Sequence, residues 1–177
     1  MLFLLFQIGN DRYALEAQHA VEVIPLLALK KIPQAPPGVA GIFNYRGQPV
    51  PALDLCELTL GRPARERLST RIIIVNCADP AGGSRRLGLI AERATEVIQR
   101  EEREFVDSGV KVGAASYLGP MLMTNQGVIQ LIHASGLAAL AGDMSTDERD
   151  LLSADKSEKR ETAGEEGPTA TGSFRSP

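Results

Sequence analysis

Tryptophan is absent from this chain, and cysteine and histidine occur only twice each. Cys56 and Cys77 lie in apolar surroundings, which favours buried thiols over a disulfide or a metal pair. His19 and His133 are far apart in the sequence and complete no metal-binding motif. The P-loop and the nucleophile elbow are missing as well. The sequence therefore predicts no metal site, no cofactor and no catalytic residue.

Long apolar runs are also missing, because no stretch reaches the roughly eighteen residues of a membrane helix. Residues 1–8 are apolar but lack the basic start and the length of a signal peptide, so we expect a strand there and a cytoplasmic protein. Residues 1–142 carry 14 basic and 13 acidic side chains, and residues 143–177 carry 5 and 9. A body this close to neutral offers no broad surface for nucleic acid.

One local basic cluster departs from this neutrality. It surrounds Glu66 and consists of Arg62, Arg65, Arg67 and Arg71. We interpret it as a solvated loop, and a surface for an acidic partner is the alternative.

Short apolar segments alternate with turn residues along most of the chain. Residues 17–24 fit a helix or a strand, and the densely charged residues 100–107 are expected to be solvated. This pattern predicts a mainly β protein built from small antiparallel barrels. Strands are expected at residues 2–8, 13–16, 71–77, 87–91, 117–124 and 128–132, and short helices at 56–60 and 135–140.

A faint internal repeat suggests two lobes. Residues 41–55 and 119–132 each contain an apolar strand, a turn with glycine and a second apolar strand. We expect lobes at residues 1–68 and 69–142 that share an apolar core, because each would bury too little surface alone. The polar residues 143–177 are predicted to be a disordered tail.

The most informative stretch is residues 38–55, which read Gly-Val-Ala-Gly-Ile-Phe-Asn-Tyr-Arg-Gly-Gln-Pro-Val-Pro-Ala-Leu-Asp-Leu. Two apolar segments flank a polar turn, and this predicts a β-hairpin in which residues 40–45 pair with residues 50–55. Gly47 suits the reversal because glycine adopts positive φ without a steric penalty.

The alternation of strand side chains places Asn44 and Arg46 on one face of this hairpin and Tyr45 on the other. Pro49 and Pro51 lack the N–H groups that would pair with a neighbouring strand. The flank of the second strand that these nitrogens face is therefore predicted to be an edge or a break.

The segments Gly-Ile-Phe-Asn-Tyr-Arg-Gly and Val-Pro-Ala-Leu-Asp-Leu resemble the signature hairpin of the CheW family of chemotaxis coupling proteins. The family form is roughly Gly-Val-apolar-Asn-Leu-Arg-Gly, followed by Val-Pro-apolar-apolar-Asp-Leu. Tyr45 replaces the usual leucine, and Pro49 is an extra proline. The resemblance covers about residues 2–141, including Ala-Val-Glu-Val-Ile at 20–24 and Ile-Pro-Gln-Ala-Pro at 32–36.

This resemblance implies two five-stranded, SH3-like β-barrels around a shared core, in a protein that is not an enzyme and needs no cofactor. Family members bridge the cytoplasmic tips of chemoreceptors to the regulatory domain of a CheA-type histidine kinase, without membrane insertion or nucleic-acid binding. The resemblance implies partner contacts by Glu22 and Arg46, with Asn44 and Gly47 shaping the turn that presents Arg46. Arg71 occupies a place where small apolar residues are usual. We expect a monomer outside the receptor array.

Two other classes of protein stay open from the residues alone. One is a different SH3-like scaffold that binds peptides or nucleic acid, and the other is a small β-barrel enzyme with a dispersed site. At the level of single residues, Arg46 and Glu22 fit solvated surface positions as well as partner contacts.

Overall fold

The computed structural model of the protein describes residues 1–78, 83–107, 109 and 116–141. Within those residues it has two α-helices, α1 (Leu55–Leu60) and α2 (Ala134–Leu140), and two 3-10 turns, Ala17–His19 and Glu102–Glu104. Its strands are β1 (Leu2–Ile8), β2 (Asp11–Glu16), β3 (Ala20–Pro25), β4 (Val39–Tyr45), β5 (Gln48–Asp54), β6 (Arg71–Ala78), β7 (Ser84–Gln99), β8 (Phe105–Val106), β9 (Leu118–Thr124) and β10 (Gly127–Ile132).

These elements confirm the predicted mainly β fold and both short helices. The ambiguous residues 17–24 divide into a 3-10 turn followed by β3. No helix in the described ranges is long and apolar enough to span a bilayer. The predicted disorder of residues 143–177 concerns residues outside the described part of the chain.

Five strand segments form what we call the hairpin lobe: β3, β4, β5, β6 and residues 84–91 of β7. Here β7 pairs antiparallel with β6 and parallel with β5, and β5 pairs antiparallel with β4. The chain that leaves β3 returns to β4, where Lys30 and Ile42 exchange backbone hydrogen bonds of 2.8 and 2.9 Å. The lobe closes around Phe43, Tyr45, Val50, Ala52, Ile72, Ile74 and Ile90.

Gly41 permits this return of the chain to β4. Its φ is +148°, and a Cβ at this position would lie 2.5 Å from the backbone oxygen of Lys30. Only a residue without a side chain allows the two backbones to come this close.

The prolines of β5 mark the predicted break in pairing. The parallel contact between β5 and β7 is confined to residues 52–54 of β5. Pro49 and Pro51 precede this contact, at alternate positions opposite Asn44 and Ile42 of β4. Their nitrogens face the β7 side, where no ladder forms, so the predicted break is confirmed.

The other strands form what we call the terminal lobe: β1, β2, β8, β9, β10 and residues 92–99 of β7. In it β1 pairs with β2 and β7, β2 pairs parallel with β10, and β9 lies between β10 and β8. Its core consists of Phe3, Leu5, Ala14, Leu122, Ile129 and Leu131.

The expectation that residues 100–107 are wholly solvated is wrong. They contain β8, and half-buried Phe105 packs against Phe3 with a centroid distance of 4.8 Å. The sequence pattern does not indicate this contact, because Phe105 is the one residue of this charged segment that packs inward.

The strand pairing does not follow the expected division between residues 68 and 69. The terminal lobe takes β1 and β2 from one end of the described chain and β8 to β10 from the other, because β2 and β10 pair. The internal repeat matches the two hairpins, β4–β5 and β9–β10, one in each lobe. Each hairpin is followed by a short helix, and its second strand pairs in parallel.

An apolar layer joins the two lobes. Phe3 and Leu5 of β1 face the core of the terminal lobe, whereas Phe6 and Ile8 point to the opposite side of the strand and are also buried. The strand also contacts α1, which follows the hairpin of the other lobe. A strand covered on both sides needs the continuous apolar run found at residues 2–6.

Candidate partner-binding site

The turn between β4 and β5 consists of two residues with positive φ, Arg46 at 53° and Gly47 at 83°. Two such residues make a type I′ turn, whose twist matches that of the paired strands. The side-chain oxygen of Asn44 accepts a 2.8 Å hydrogen bond from the backbone N–H of Gly47. Asn44 and Gly47 thus shape the turn at which Arg46 stands.

Glu22 and Arg46 meet in space, although 24 positions separate them in the chain. The guanidinium of Arg46 donates to Oε2 of Glu22 at 2.9 Å, and the side chains are 71% and 39% exposed. The two residues that the family resemblance marked therefore form one surface ion pair, which we call the turn pair. Both partners remain within reach of a second molecule.

Tyr45 adds a third member that the sequence interpretation missed. Its hydroxyl donates to the same Oε2 of Glu22 at 2.5 Å, while the residue as a whole is buried. The hydrogen bond to this carboxylate raises the pKa of Tyr45, and burial raises it further. The sequence signal was the replacement of an apolar residue by tyrosine at an inward-facing position beside the turn.

The expectation that Arg46 extends along the face of Asn44 is wrong. Positive φ takes Arg46 out of the strand alternation, and its guanidinium lies 5.1 Å from the ring centroid of Tyr45. The side chain therefore bends toward Tyr45 and Glu22.

Arg86 of β7 approaches the same tyrosine. Its guanidinium carbon lies 5.5 Å from the ring centroid, and it donates to the side-chain oxygen of Gln48 at 3.1 Å. A guanidinium within about 6 Å of an aromatic face is attracted by the electrons of the ring. Two arginines from different elements thus contact one ring beside the turn.

Asp54 holds the base of the hairpin. Its Oδ1 accepts from the backbone N–H groups of Cys56 and Glu57 at 2.9 and 3.1 Å, which caps α1. Its Oδ2 accepts from Ala64 at 2.8 Å, and the residue is only 4% exposed. The aspartate at the end of the signature hairpin is therefore a structural residue that joins β5, α1 and the following loop.

Glu92 anchors the other side of that loop. Its Oε1 accepts from the backbone N–H of Arg65 at 2.8 Å and from the guanidinium of Arg62 at 3.2 Å. Burial by itself raises the pKa of Glu92, but these two donors outweigh it and leave the pKa lowered. The charged carboxylate is consequently the form that the fold stabilises.

The basic cluster is divided by these contacts. Arg62 is half-buried against Glu92, and Arg71 donates to the backbone oxygens of Leu68 and Thr70. Arg65 and Arg67 are exposed, as a solvated loop predicts. The guanidinium of Arg71 is thus occupied by backbone of its own loop.

A metal-binding group of side chains is not found in the part of the chain that the structure describes. No three side chains of histidine, cysteine, aspartate or glutamate gather there as ligands for an ion. The concentration of charged, aromatic and hydrogen-bonded side chains around the hairpin turn makes that turn the candidate site, and the chemistry it offers is ion pairing with another molecule.

Comparison with known proteins agrees with the architecture. A protein from Helicobacter pylori named chemotaxis protein CheW is 28% identical over 103 residues, which cover 58% of this chain and 59% of that protein. One of the same name from Treponema pallidum is 29% identical over 97 residues, covering 52% and 54%. The matched segments thus span little more than half the length of these relatives.

The crystal structure of the scaffolding protein TtCheW from Thermoanaerobacter tengcongensis resembles this fold with a TM-score of 0.68 and 25% identity. The alignment covers 77% of this chain and 86% of that one. A family model described as CheW-like domain matches residues 2–141, the range over which the hairpin and its flanking motifs carried the resemblance. The chain belongs to the CheW-like domain family.

Proposed function

We propose that this chain is a non-catalytic coupling protein of a chemosensory pathway. It bridges the cytoplasmic tip of a chemoreceptor to the regulatory domain of a CheA-type histidine kinase, and it acts in the cytoplasm. Family membership and the names of the similar proteins support this role. The observation that carries it is the turn pair of Glu22 and Arg46, which stands exposed on a fixed two-residue turn.

The chemistry of the turn pair fits a docking surface. Arginine recognises carboxylates through a planar fork of donors, and it is enriched among the residues that dominate binding at protein interfaces. An exposed ion pair contributes only about 0.2–1 kcal/mol to folding, so the pair is not needed to hold the lobe together. The same side chains, once desolvated by a partner, can contribute more to binding than to folding, and the few residues that dominate an interface reach about 2 kcal/mol.

Rigidity supports the role as well. Asn44 and Gly47 fix the turn, and Tyr45 holds the Glu22 carboxylate from the buried side. A partner that docks here meets side chains that are already ordered, which lowers the entropy lost on binding.

Co-purification tests the proposal. The full chain and its Arg46→Ala variant are each mixed with a CheA-type regulatory domain and with a receptor-tip fragment from the same organism. We expect the wild-type chain to bind both and Arg46→Ala to bind at least one severalfold more weakly, with unfolding free energies that differ by less than about 1 kcal/mol. A wild-type chain that binds neither protein contradicts the coupling role.

Folding and binding separate in a second comparison. Glycine adopts the positive φ of position 46 without the strain that alanine would have there. The melting temperature of Arg46→Gly should therefore equal or exceed that of Arg46→Ala, with the same loss of binding. Unchanged binding in both variants would remove Arg46 from the site.

A gel shift with duplex DNA at low salt tests the competing hypothesis of a nucleic-acid-binding scaffold, which predicts a retarded band.

A further inference from the structure

Two arginines contact the Tyr45 ring in the described structure, Arg46 and Arg86. There, Arg46 forms an ion pair with a carboxylate, and Arg86 does not. The carboxylate of Glu22 is shared by Arg46 and the hydroxyl of Tyr45. Within the described residues, Arg86 has no carboxylate partner and donates only to the neutral amide of Gln48. Glu22, Arg46 and Arg86 together carry a formal charge of +1.

The guanidinium of Arg86 is nevertheless held in place. It lies against one ring and one amide oxygen, which come from β4 and β5 while Arg86 itself belongs to β7. Arginine gains most from such restraint, because a planar fork that is already oriented loses little entropy when it binds a carboxylate. A leucine at position 45 would offer neither the ring face nor the hydroxyl.

We propose that Arg86 is an additional partner-contacting residue and that it pairs with a carboxylate on the protein that docks at the hairpin turn. This inference rests on the proposed coupling function. Tyr45 acts as the positioning residue, since its ring orients Arg86 and its hydroxyl orients Glu22. The partner surface that fits is a protein face with an acidic side chain opposite Arg86. A nucleic acid fits less well, because the Glu22 carboxylate would repel a row of phosphates.

Titration calorimetry on the full chain tests the charge of Arg86. The probes are a CheA-type regulatory domain and a receptor-tip fragment from the same organism, each at low and at high salt. We expect Arg86→Glu to weaken binding of one probe by about tenfold at low salt and less at high salt, and Arg86→Gln to weaken it severalfold. The charge-matched control Arg100→Glu, at an exposed arginine of the terminal lobe, should change affinity less than about twofold.

The role of the ring is tested separately. Tyr45→Phe keeps the ring and Tyr45→Leu removes it, while both lose the hydroxyl. We expect Tyr45→Leu to bind the probe severalfold more weakly than Tyr45→Phe, and the difference to become smaller when Arg86 is also changed to Gln, because the ring then orients only Arg46. A purely structural role for Tyr45 would leave the difference unaltered in that double variant.

The outcomes separate the two proposals. If Arg86→Glu and Arg86→Gln bind like the wild-type chain while Arg46→Ala does not, the inference about Arg86 is overturned and the coupling function stands. If the wild-type chain binds neither probe, both are overturned. Restored binding between Arg86→Glu and a partner variant with one acidic residue changed to Lys would identify the opposing carboxylate and support the inference directly.

Discussion

Glu22 and Tyr45 are joined by a 2.5 Å hydrogen bond although their strands, β3 and β4, are not neighbours in the sheet. The bond connects the exposed end of the hairpin with the strand that precedes it in the chain. Arg46 reaches the same carboxylate oxygen from the turn. The candidate binding surface and the closure of the hairpin lobe therefore share one acceptor.

This relationship predicts a stability difference that depends on pH. The pKa of Tyr45 is raised above its ordinary 10.0, first by the bond to Glu22 and then by burial. The neutral phenol thus stabilises the fold fully below that ordinary value, and the contribution is lost as pH rises through the folded-state pKa. We expect Tyr45→Phe to unfold more easily than the wild-type chain at about pH 8, with a smaller difference at about pH 11.

Urea unfolding at both pH values gives the measurement. The pKa of Tyr13, raised mainly by its burial, is a property of both proteins and cancels in the comparison. A difference that stays constant between the two pH values would argue that the hydroxyl bond does not contribute.

Asp54 is expected to be the most sensitive polar residue of the hairpin. Asp54→Ala removes the cap of α1 and leaves the Ala64 N–H without its acceptor, so we expect a loss of about 2–4 kcal/mol in the unfolding free energy. Asp54→Asn keeps one acceptor oxygen and should lose less. Chemical denaturation measures both, with Glu57→Ala on the same helix as the control. A loss below about 1 kcal/mol in Asp54→Ala would contradict the role assigned to it.

Gly41 and Gly61 offer a matched pair of substitutions. Both have positive φ, but a Cβ at Gly61 meets nothing within 4 Å, whereas one at Gly41 meets Lys30 backbone at 2.5 Å. We expect Gly61→Ala to lose about 1 kcal/mol from backbone conformation alone, and Gly41→Ala to exceed it by about 1–3 kcal/mol. Thermal melts of the two variants compare them, and equal losses would mean that the Lys30 segment moves away without penalty.

The contacts of Glu92 predict that the stability of the fold decreases in acid. Its pKa is lowered from 4.5 because the Arg65 N–H and the Arg62 guanidinium outweigh the opposing effect of burial. Its stabilisation is therefore present above that value and is lost as pH falls through the folded-state pKa. Glu92→Gln should be less stable than the wild-type chain at neutral pH and should approach it below about pH 4. Glu96→Gln, at an exposed position of the same strand, is the control and should show no such convergence.

Local patterns in the sequence predict much of this protein because its turns and breaks carry local signals. Gly47 identifies the reversal of the hairpin, and the spacing of Pro49 and Pro51 identifies the interrupted flank of β5. The strand predicted at residues 87–91 belongs to β7, which continues to Gln99 after a bend at Arg93, where φ is positive. Such signals act within a few residues and need no knowledge of the fold.

Long-range relationships were beyond that kind of inference. The pairing of β2 with β10 depends on which strands meet in space, and no local pattern in either strand indicates the other. The same holds for Tyr45, whose importance comes from Glu22 and Arg86 on two other strands. The turn pair was accessible only because the family resemblance marked both of its members.

The 16-residue strand β7 has a mechanical consequence. One continuous backbone supplies a central strand to the hairpin lobe and then the strand that pairs with β1 in the terminal lobe, so neither lobe keeps a complete set of strands when the other melts. We therefore expect the described body to lose its structure in a single cooperative step. A force applied to one lobe would pass along this strand directly to the other lobe, without crossing a flexible linker.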